Sequence, residues 1–228
     1  MDRHLTLFLD PALVRSYVVD APRKVPGLND LHMMTTLLLE ERAPGPAHIL
    51  VVGAGGGLEI RAMAGVRPDW RFTGVDPSPA MLDIARQTTA DVAERTDLRL
   101  GTAQDAPLGP FDGAVCLLTL HFLDRRERLQ TLQGIRSRLK PGAVFVAAHH
   151  VSVGGEAEVW LHRSAVFARH LGASAPPAAS SAKAMADRLP LLSPKDEEEC
   201  FREGGFQTPA LFYAALSFRG WVMIAAAS

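Results

Sequence analysis

Cysteine is scarce in this 228-residue chain, with only Cys116 and Cys200 present. They form no CxxC pair and no His/Cys zinc spacing, which sets aside the common metal and redox modules. Cys116 sits in an apolar run and reads as a core thiol, Cys200 reads as a helix residue, and a reducing cytosol is the expected setting. Net charge is nearly absent too: 24 Lys and Arg against 25 Asp and Glu give −1. No overall positive field draws the chain to nucleic acid or an anionic membrane, so no stable nucleic-acid complex is expected. Long apolar runs are missing, the last one being interrupted by Arg219 and Gly220, so no membrane association is expected. No basic-then-apolar signal segment opens the chain, which agrees with a cytoplasmic setting. No internal repeat is found.

What is present is enough apolar material for a sizeable core, 47% of the chain, at a length that suits one domain. Residues 1–45 read as an N-terminal helical cover, with a turn at Ala21-Pro22-Arg23-Lys24-Val25-Pro26-Gly27 and a helix from Leu28 to Glu41 that presents Leu31, Met34, Thr35 and Leu38 on one side. From residue 46 onward, short apolar runs alternate with helical segments. Strands are expected at Ile49–Val52, Arg71–Val75, Leu98–Leu100, Gly113–Leu118 and Ala143–Ala148. Helices are expected at Leu58–Ala64, from Pro79 to about Ala93 with Ser78 as N-cap, and at Arg125–Leu139. Glu156–Leu171 and a segment opening at Ser193-Pro194 read as helices. Residues 172–182 read as a loop or weak helix start. Leu211–Leu216 and Gly220–Ile224 read as a final hairpin joined by Ser217-Phe218-Arg219. The expected fold is α/β: a Rossmann-like, mostly parallel seven-stranded sheet with a C-terminal antiparallel hairpin, residues 46–228 forming the core and 151–192 an acceptor-pocket insertion.

The most informative motif is Val52-Gly53-Ala54-Gly55-Gly56-Gly57-Leu58-Glu59, between an expected strand and helix. Glycines there allow a ligand to approach the backbone, and the helix N-terminus adds donors. The next strand ends in Asp76, 19 residues after Gly57, where a carboxylate can accept both hydroxyls of a ribose. This points to a nucleotide-type ligand. It does not separate a dinucleotide from S-adenosylmethionine.

Four pieces in order resemble class I S-adenosylmethionine-dependent methyltransferases: Val51–Gly57, Gly74-Val75-Asp76-Pro77-Ser78-Pro79-Ala80-Met81, Thr102-Ala103-Gln104-Asp105-Ala106 and Leu139-Lys140-Pro141-Gly142-Ala143. The resemblance implies S-adenosylmethionine as cofactor and methyl transfer to a small-molecule acceptor. It implies that Gly53, Ala54 and Gly55 meet the methionine portion, and that Asp76 holds the ribose. Pro77, Ala80 and Met81 would flank the adenine, Asp105 and Ala106 would bind its edge, and Leu118 and Thr119 would face the sulfonium. A narrower resemblance, carried by Lys24-Val25-Pro26-Gly27, Leu118–Asp124 and Glu203-Gly204-Gly205-Phe206, is to carboxy-S-adenosylmethionine synthase and its relatives. It implies an alternative, making or using that carboxylated cofactor in transfer-RNA modification. The chain departs from that pattern at Leu28, where the synthase has an aromatic, and at His149-His150, where it has a carboxylate–lysine pair. A noncatalytic nucleotide-binding subunit and an NAD-dependent oxidoreductase are further alternatives, the latter lacking a hydride-transfer constellation.

Catalytic groups in such folds come from loops at the carboxyl ends of strands. His121, His149 and His150 meet that criterion, and a neutral imidazole can accept a proton near neutrality. Neighbouring side chains on a strand alternate, so one of the 149–150 pair is expected to enter the pocket. His149, His150 and Asp124 are the only candidate metal ligands and no acidic cluster accompanies them, so no metal is expected. The acceptor pocket is expected from residues 8–35 and 151–190, with Tyr17, Met33, Trp160 and Phe167 as apolar lining and Arg23 and Lys24 as cations. The cover either closes one subunit's pocket or packs on a second copy as a homodimer.

Overall fold

The computed structural model describes residues 11–173 and 176–227. Seven strands form one sheet: β1 His48–Val52, β2 Arg71–Asp76, β3 Thr96–Leu100, β4 Phe111–Leu117, β5 Leu139–His150, β6 Phe206–Ala215 and β7 Phe218–Ala225. Their order is β3-β2-β1-β4-β5-β7-β6. The first five are mutually parallel, and β7 runs antiparallel to both β5 and β6. This is the Rossmann-like α/β fold read from the alternation of apolar runs and helices. The order reverses between β1 and β4, the switch point where such sheets open a crevice.

Period-2 alternation along the strands divides the core. Ile49, Val51, Val115, Leu117, Val144, Val146 and Ala148 face one side, with α2 (Leu28–Glu40) and α3 (Leu58–Val66) packed over them. Leu50, Val52, Ala114, Cys116, Phe145 and Ala147 face the other, under α5 (Arg125–Arg136) and α8 (Pro194–Glu203). Burying one such side chain contributes roughly 1.5–3 kcal/mol. The parity matters below, because it sends His149 and His150 to opposite faces.

Helix starts follow local chemistry. Asp124 accepts from the Glu127 amide while Glu127 reaches back to the Asp124 amide, a reciprocal cap on α5. Ser78 accepts from Met81 N at the head of α4 (Pro79–Thr88), and Ser193 from Asp196 N at the head of α8. Each cap is worth about 1 kcal/mol.

Five expectations change. Residues 21–24 are not a turn: α1 (Pro11–Lys24) runs through Pro22, its last turn tied by Arg23 and Lys24 to Asp20 at 3.7 and 3.8 Å. The helix after Pro79 stops at Thr88, where the Thr89 hydroxyl donates to Ala85 O, and a 3-10 segment, 90–95, kinked at Val92, replaces its expected end. The expected strand Ala143–Ala148 is longer at both ends. Pairing of Phe111 with Leu139 starts it, and antiparallel pairing of His149 with Arg219 and His150 with Phe218 carries it past Ala148. Where 172–182 reads as a loop or weak start, α7 (Ala178–Arg188) begins; residues 174 and 175 lie outside the described residues. The hairpin turn is at Leu216-Ser217, and both hairpin strands exceed their expected spans.

Candidate active site

The glycine loop after β1 is shaped by what lies against it. Gly53 has φ of 72°, and a Cβ there would stand 2.0 Å from Thr119 Oγ1. No side chain fits that place, so the backbone itself forms the wall. Gly53 N and Ala54 N both donate to Val75 O, tying the loop to β2. Gly55 N donates to Asp76 Oδ2 at 2.9 Å, and Ser78 N donates to Asp76 Oδ1 at 2.8 Å. The carboxylate is thereby fixed at the end of β2 with lone pairs still available. Burial raises its pKa above the ordinary range, partly offset by the Ser78 and Gly55 amides. Tyr17 of α1 lies over the loop: a Cβ on Gly56 would stand 2.7 Å from its ring. Burial raises the Tyr17 phenol, with Glu59 and Asp76 adding to the rise. Beneath it, burial pushes the Glu59 carboxyl up to about 8.

A cavity of about 450 Å³ opens from this loop, within the size range of small-molecule sites. Gly53, Gly55, Asp76, Pro77, Ser78, Met81 and Thr102 line one part of it. Leu118 and Thr119, just past β4, line the middle. Leu118 holds a φ of 57°, a left-handed conformation that costs a side-chain-bearing residue on the order of 1–3 kcal/mol. Its amide donates to Ala148 O, and the Thr119 hydroxyl donates to Leu117 O, so the strained turn is anchored on both sides. The rest of the lining is mostly apolar, with Ala21, Val25, Phe122, Met185, Leu189 and Phe218, and it carries Lys24, Glu127 and Arg188 as well as His121 and His150. Helices α1 and α7 therefore roof the cavity, while the strand ends form its floor.

The two imidazoles are close, with ring centroids 5.1 Å apart at 75°. His150 stacks on Phe218 at 3.8 Å and its Nδ1 lies 2.7 Å from Ser217 Oγ. Burial lowers its pKa to about 3, with His149 contributing. Burial also holds His121 well below the usual histidine range, helped by the other two imidazoles and Arg128. Both rings are neutral at pH 7, and their basic nitrogens need not shed a proton before accepting one.

The remaining candidates fall elsewhere. His149 shares a parity with Ala147 and lies on the opposite face, fully buried, with Nε2 3.0 Å from Glu197 Oε1. Glu197 is in turn bonded to Arg128, and all three side chains have no exposure. This is an internal charge cluster joining β5, α5 and α8, and it corrects the reading of His149 as a catalytic candidate: strand parity removes it from the cavity. Ala54 is buried beneath the loop, 2.9 Å from where a Gly74 Cβ would be, and does not line the cavity. Asp105 turns its carboxylate onto Thr102 N and Oγ1, and neither it nor buried Ala106 is in the lining; Thr102 lines it instead. Met33 is exposed, and Trp160 and Phe167 lie on α6 (Ala157–His170) away from the lining; Tyr17 and Lys24 line it, whereas Arg23 donates to Gly172 O. The part of the expected pocket at residues 8–10 lies outside the described residues. Phe122 and Phe218 are not among the expected pocket residues, while Met185, Arg188 and Leu189 lie inside the expected 151–190 stretch without being singled out. Alternation within the hairpin could have indicated Phe218, but nothing local marks one face of α7. Among the described residues, no group of His, Cys, Asp and Glu is arranged to hold a metal ion, and no helix is long and apolar enough to cross a membrane.

Known proteins resemble this chain in sequence and fold. A family model described as a methyltransferase domain matches residues 50–145, from the middle of β1 to the middle of β5. A carboxy-S-adenosyl-L-methionine synthase of Chromohalobacter salexigens is 28% identical over 97% of this chain and 84% of its own length. A ubiquinone biosynthesis O-methyltransferase of Xanthomonas campestris pv. campestris is 30% identical over 58% of this chain, and the match spans about half (54%) of that relative. A solved O-methyltransferase family 2 protein of Planctomyces limnophilus, in complex with apigenin, shares the fold with a TM-score of 0.61 and 16% identity, over 87% of this chain and 62% of its own. These likenesses show the fold, with a methyltransferase-domain model matched over residues 50–145.

Proposed function

We propose that this chain methylates a small, largely apolar acceptor at a weakly acidic O–H or N–H group, with His150 as the proton acceptor and His121 orienting the acceptor beside it. The observation that carries this reading is one continuous cavity. It runs from the Gly53–Asp76 cradle, past Leu118 and Thr119, to two buried neutral imidazoles in an apolar chamber.

S-adenosylmethionine, when bound, supplies a methyl group activated by a positive sulfur. The chain's own residues do the rest. Asp76, already gripped by the Gly55 and Ser78 amides, accepts from the ribose hydroxyls. The bare backbone at Gly53 and Gly55 admits the amino-acid tail, and Met81 with Pro77 flanks the base. In the far chamber, Val25, Phe122, Met185, Leu189 and Phe218 exclude water and hold an apolar body. Held there, the acceptor atom is aligned with the methyl donor, and alignment alone supplies much of the rate. His150 takes the acceptor's proton as the methyl is transferred; burial keeps the imidazole neutral beforehand and opposes the charged form it then takes.

A second reading, synthesis or use of a carboxylated cofactor, is favoured by the likeness to the Chromohalobacter synthase along 97% of the chain. Of the positions where the two patterns differ, Leu28 is buried in the core and His149 faces away from the cavity. That leaves His150 as the differing group that meets a ligand.

Mass spectrometry of small molecules released from freshly purified, denatured protein separates the readings. S-adenosylmethionine or S-adenosylhomocysteine is expected. Recovery of the carboxylated form puts the second reading first, and failure of added S-adenosylhomocysteine to bind in calorimetry refutes both. With an acceptor found by screening, His150→Gln is expected to lower kcat by about 10²- to 10⁴-fold, the range a general base contributes.

A further inference from the structure

His150 is backed by a line of hydroxyls that does not touch the cavity. Its Nδ1 lies 2.7 Å from Ser217 Oγ, which lies 2.6 Å from Ser164 Oγ, which lies 3.2 Å from Trp160 O. The three side chains come from β5, the β6–β7 turn and α6. All are more than nine-tenths buried. Neither serine lines the cavity.

The chain has a direction. A hydroxyl has one proton to donate, and a carbonyl can only accept. The Ser164 hydroxyl therefore donates to Trp160 O. Ser164 Oγ then accepts, from the Ser217 amide at 3.4 Å and from the Ser217 hydroxyl. With its proton directed to Ser164, Ser217 Oγ is left as an acceptor, and the donor facing it is Nδ1–H of His150. Reversing the chain gives up the Ser164 bond to Trp160 O, so the direction shown makes one more hydrogen bond than its reverse.

We propose that Ser217 and Ser164 are positioning residues that hold His150 as its Nδ1–H tautomer, so that Nε2 presents a bare lone pair to the acceptor. The proposal rests on the reading of His150 as the proton acceptor. In the other tautomer, Nε2 carries a hydrogen and cannot take a second proton without first losing it. The ring's orientation is fixed as well: Phe218 stacks on one face and His121 meets it edge-on. Tautomer and orientation are therefore both set before any acceptor arrives, which is what a rigid supporting shell contributes to a catalytic group.

The test is nitrogen NMR on protein with ¹⁵N-labelled histidine at neutral pH, with the His150 signals assigned by their loss in His150→Gln. The expected pattern has a protonated Nδ1 and an unprotonated Nε2. Ser164→Ala removes the far acceptor and frees the Ser217 proton to turn toward His150, so the two nitrogen signals are expected to exchange character although the partner of His150 is unchanged. Ser217→Ala removes the preference directly; if that variant does not fold, Ser164→Ala carries the test. A protonated Nε2 in the unmodified protein, or an unchanged pattern in folded Ser164→Ala, overturns the proposal. The measurement needs no acceptor, so its outcome is independent of whether methyl transfer itself is demonstrated. In turnover, Ser164→Ala is expected to lower kcat about 100-fold at unchanged cofactor Kd, the low end of a general base's contribution. A weakened cofactor Kd with kcat intact would assign the serines a structural role instead.

Discussion

Replacing Glu197 with alanine is expected to cost about 3–5 kcal/mol, far more than an exposed glutamate would. Glu197, Arg128 and His149 have no exposure, and the Arg128 guanidinium also donates to Leu123 O and Pro190 O at 3.1 and 3.2 Å. Burial drives the Glu197 pKa up, but His149 and Arg128 together outweigh it and hold the carboxyl below its usual range, so it is ionised at neutral pH. Alanine removes the negative charge and leaves a guanidinium inside the protein with two carbonyls for company. That loss is a large share of the roughly 5–15 kcal/mol that holds a domain folded. Removing both charges is a different perturbation. Arg128→Met with Glu197→Leu fills the same space with apolar atoms, and such replacements are neutral or stabilising in comparable clusters. The double variant is therefore expected to recover most of the loss, giving a coupling of about 3 kcal/mol in a double-mutant cycle closed by the Arg128→Met and Glu197→Leu single variants. Urea unfolding followed by tryptophan fluorescence reads it, with Trp221 5.8 Å from the His149 ring. A Glu197→Ala cost below about 1 kcal/mol, or a double variant as unstable as the two single losses added together, refutes the reasoning.

Two further predictions concern the loop and the acid limit. Gly53→Ala forces a Cβ into Thr119 at a backbone angle alanine resists, so calorimetry with S-adenosylhomocysteine should show affinity falling at least about 10-fold; unchanged binding would mean that the loop relaxes freely. His32 is buried, and burial lowers its pKa to about 4 from 6.5, so the unfolded chain binds a proton below pH 6.5 that the folded chain refuses until about pH 4. Its contribution is complete above pH 6.5 and is lost as pH falls, by about 1.4 kcal/mol per unit. His32→Leu should accordingly lose about 2 kcal/mol less than the unmodified protein between pH 7 and pH 5 in urea unfolding, and equal losses would contradict the assignment.

Strand ends were legible because each apolar run stops at a residue that does something other than pack, with Gly53 after β1, Asp76 at the end of β2 and Leu118 after β4. The alternation of β5 was legible too, since it requires His149 and His150 to diverge. Which of them meets the cavity was not, because parity is measured against helices distant in sequence. The continuation of α1 through Pro22 was hidden by that proline and by the Pro26-Gly27 pair that follows. What holds it, the reach of Arg23 and Lys24 back to Asp20, is a pairing a propensity argument does not weigh. Ser217, Glu197 and Met185 carry no local mark. Each gains its place only when the hairpin, α8 and α7 are folded over the sheet. Asp105 differs again: its motif is clear in the sequence, and its Oδ2 accepts from Thr102 N and Oγ1.

The reversed direction of β7 separates two heritable functions. Because β7 runs against β5, the hairpin tip that begins it, with Ser217 and Phe218, arrives at the same rim as the carboxyl ends of the parallel strands. Under the proposed function, the cofactor cradle is written in one stretch of the gene, Gly53 to Met81, and the tip that brings Phe218 to the acceptor chamber in another, more than a hundred residues downstream. Mutation can revise one without disturbing the other. New acceptors can then be acquired by exchanging a short turn and the facing side of α7, while the donor stays the same.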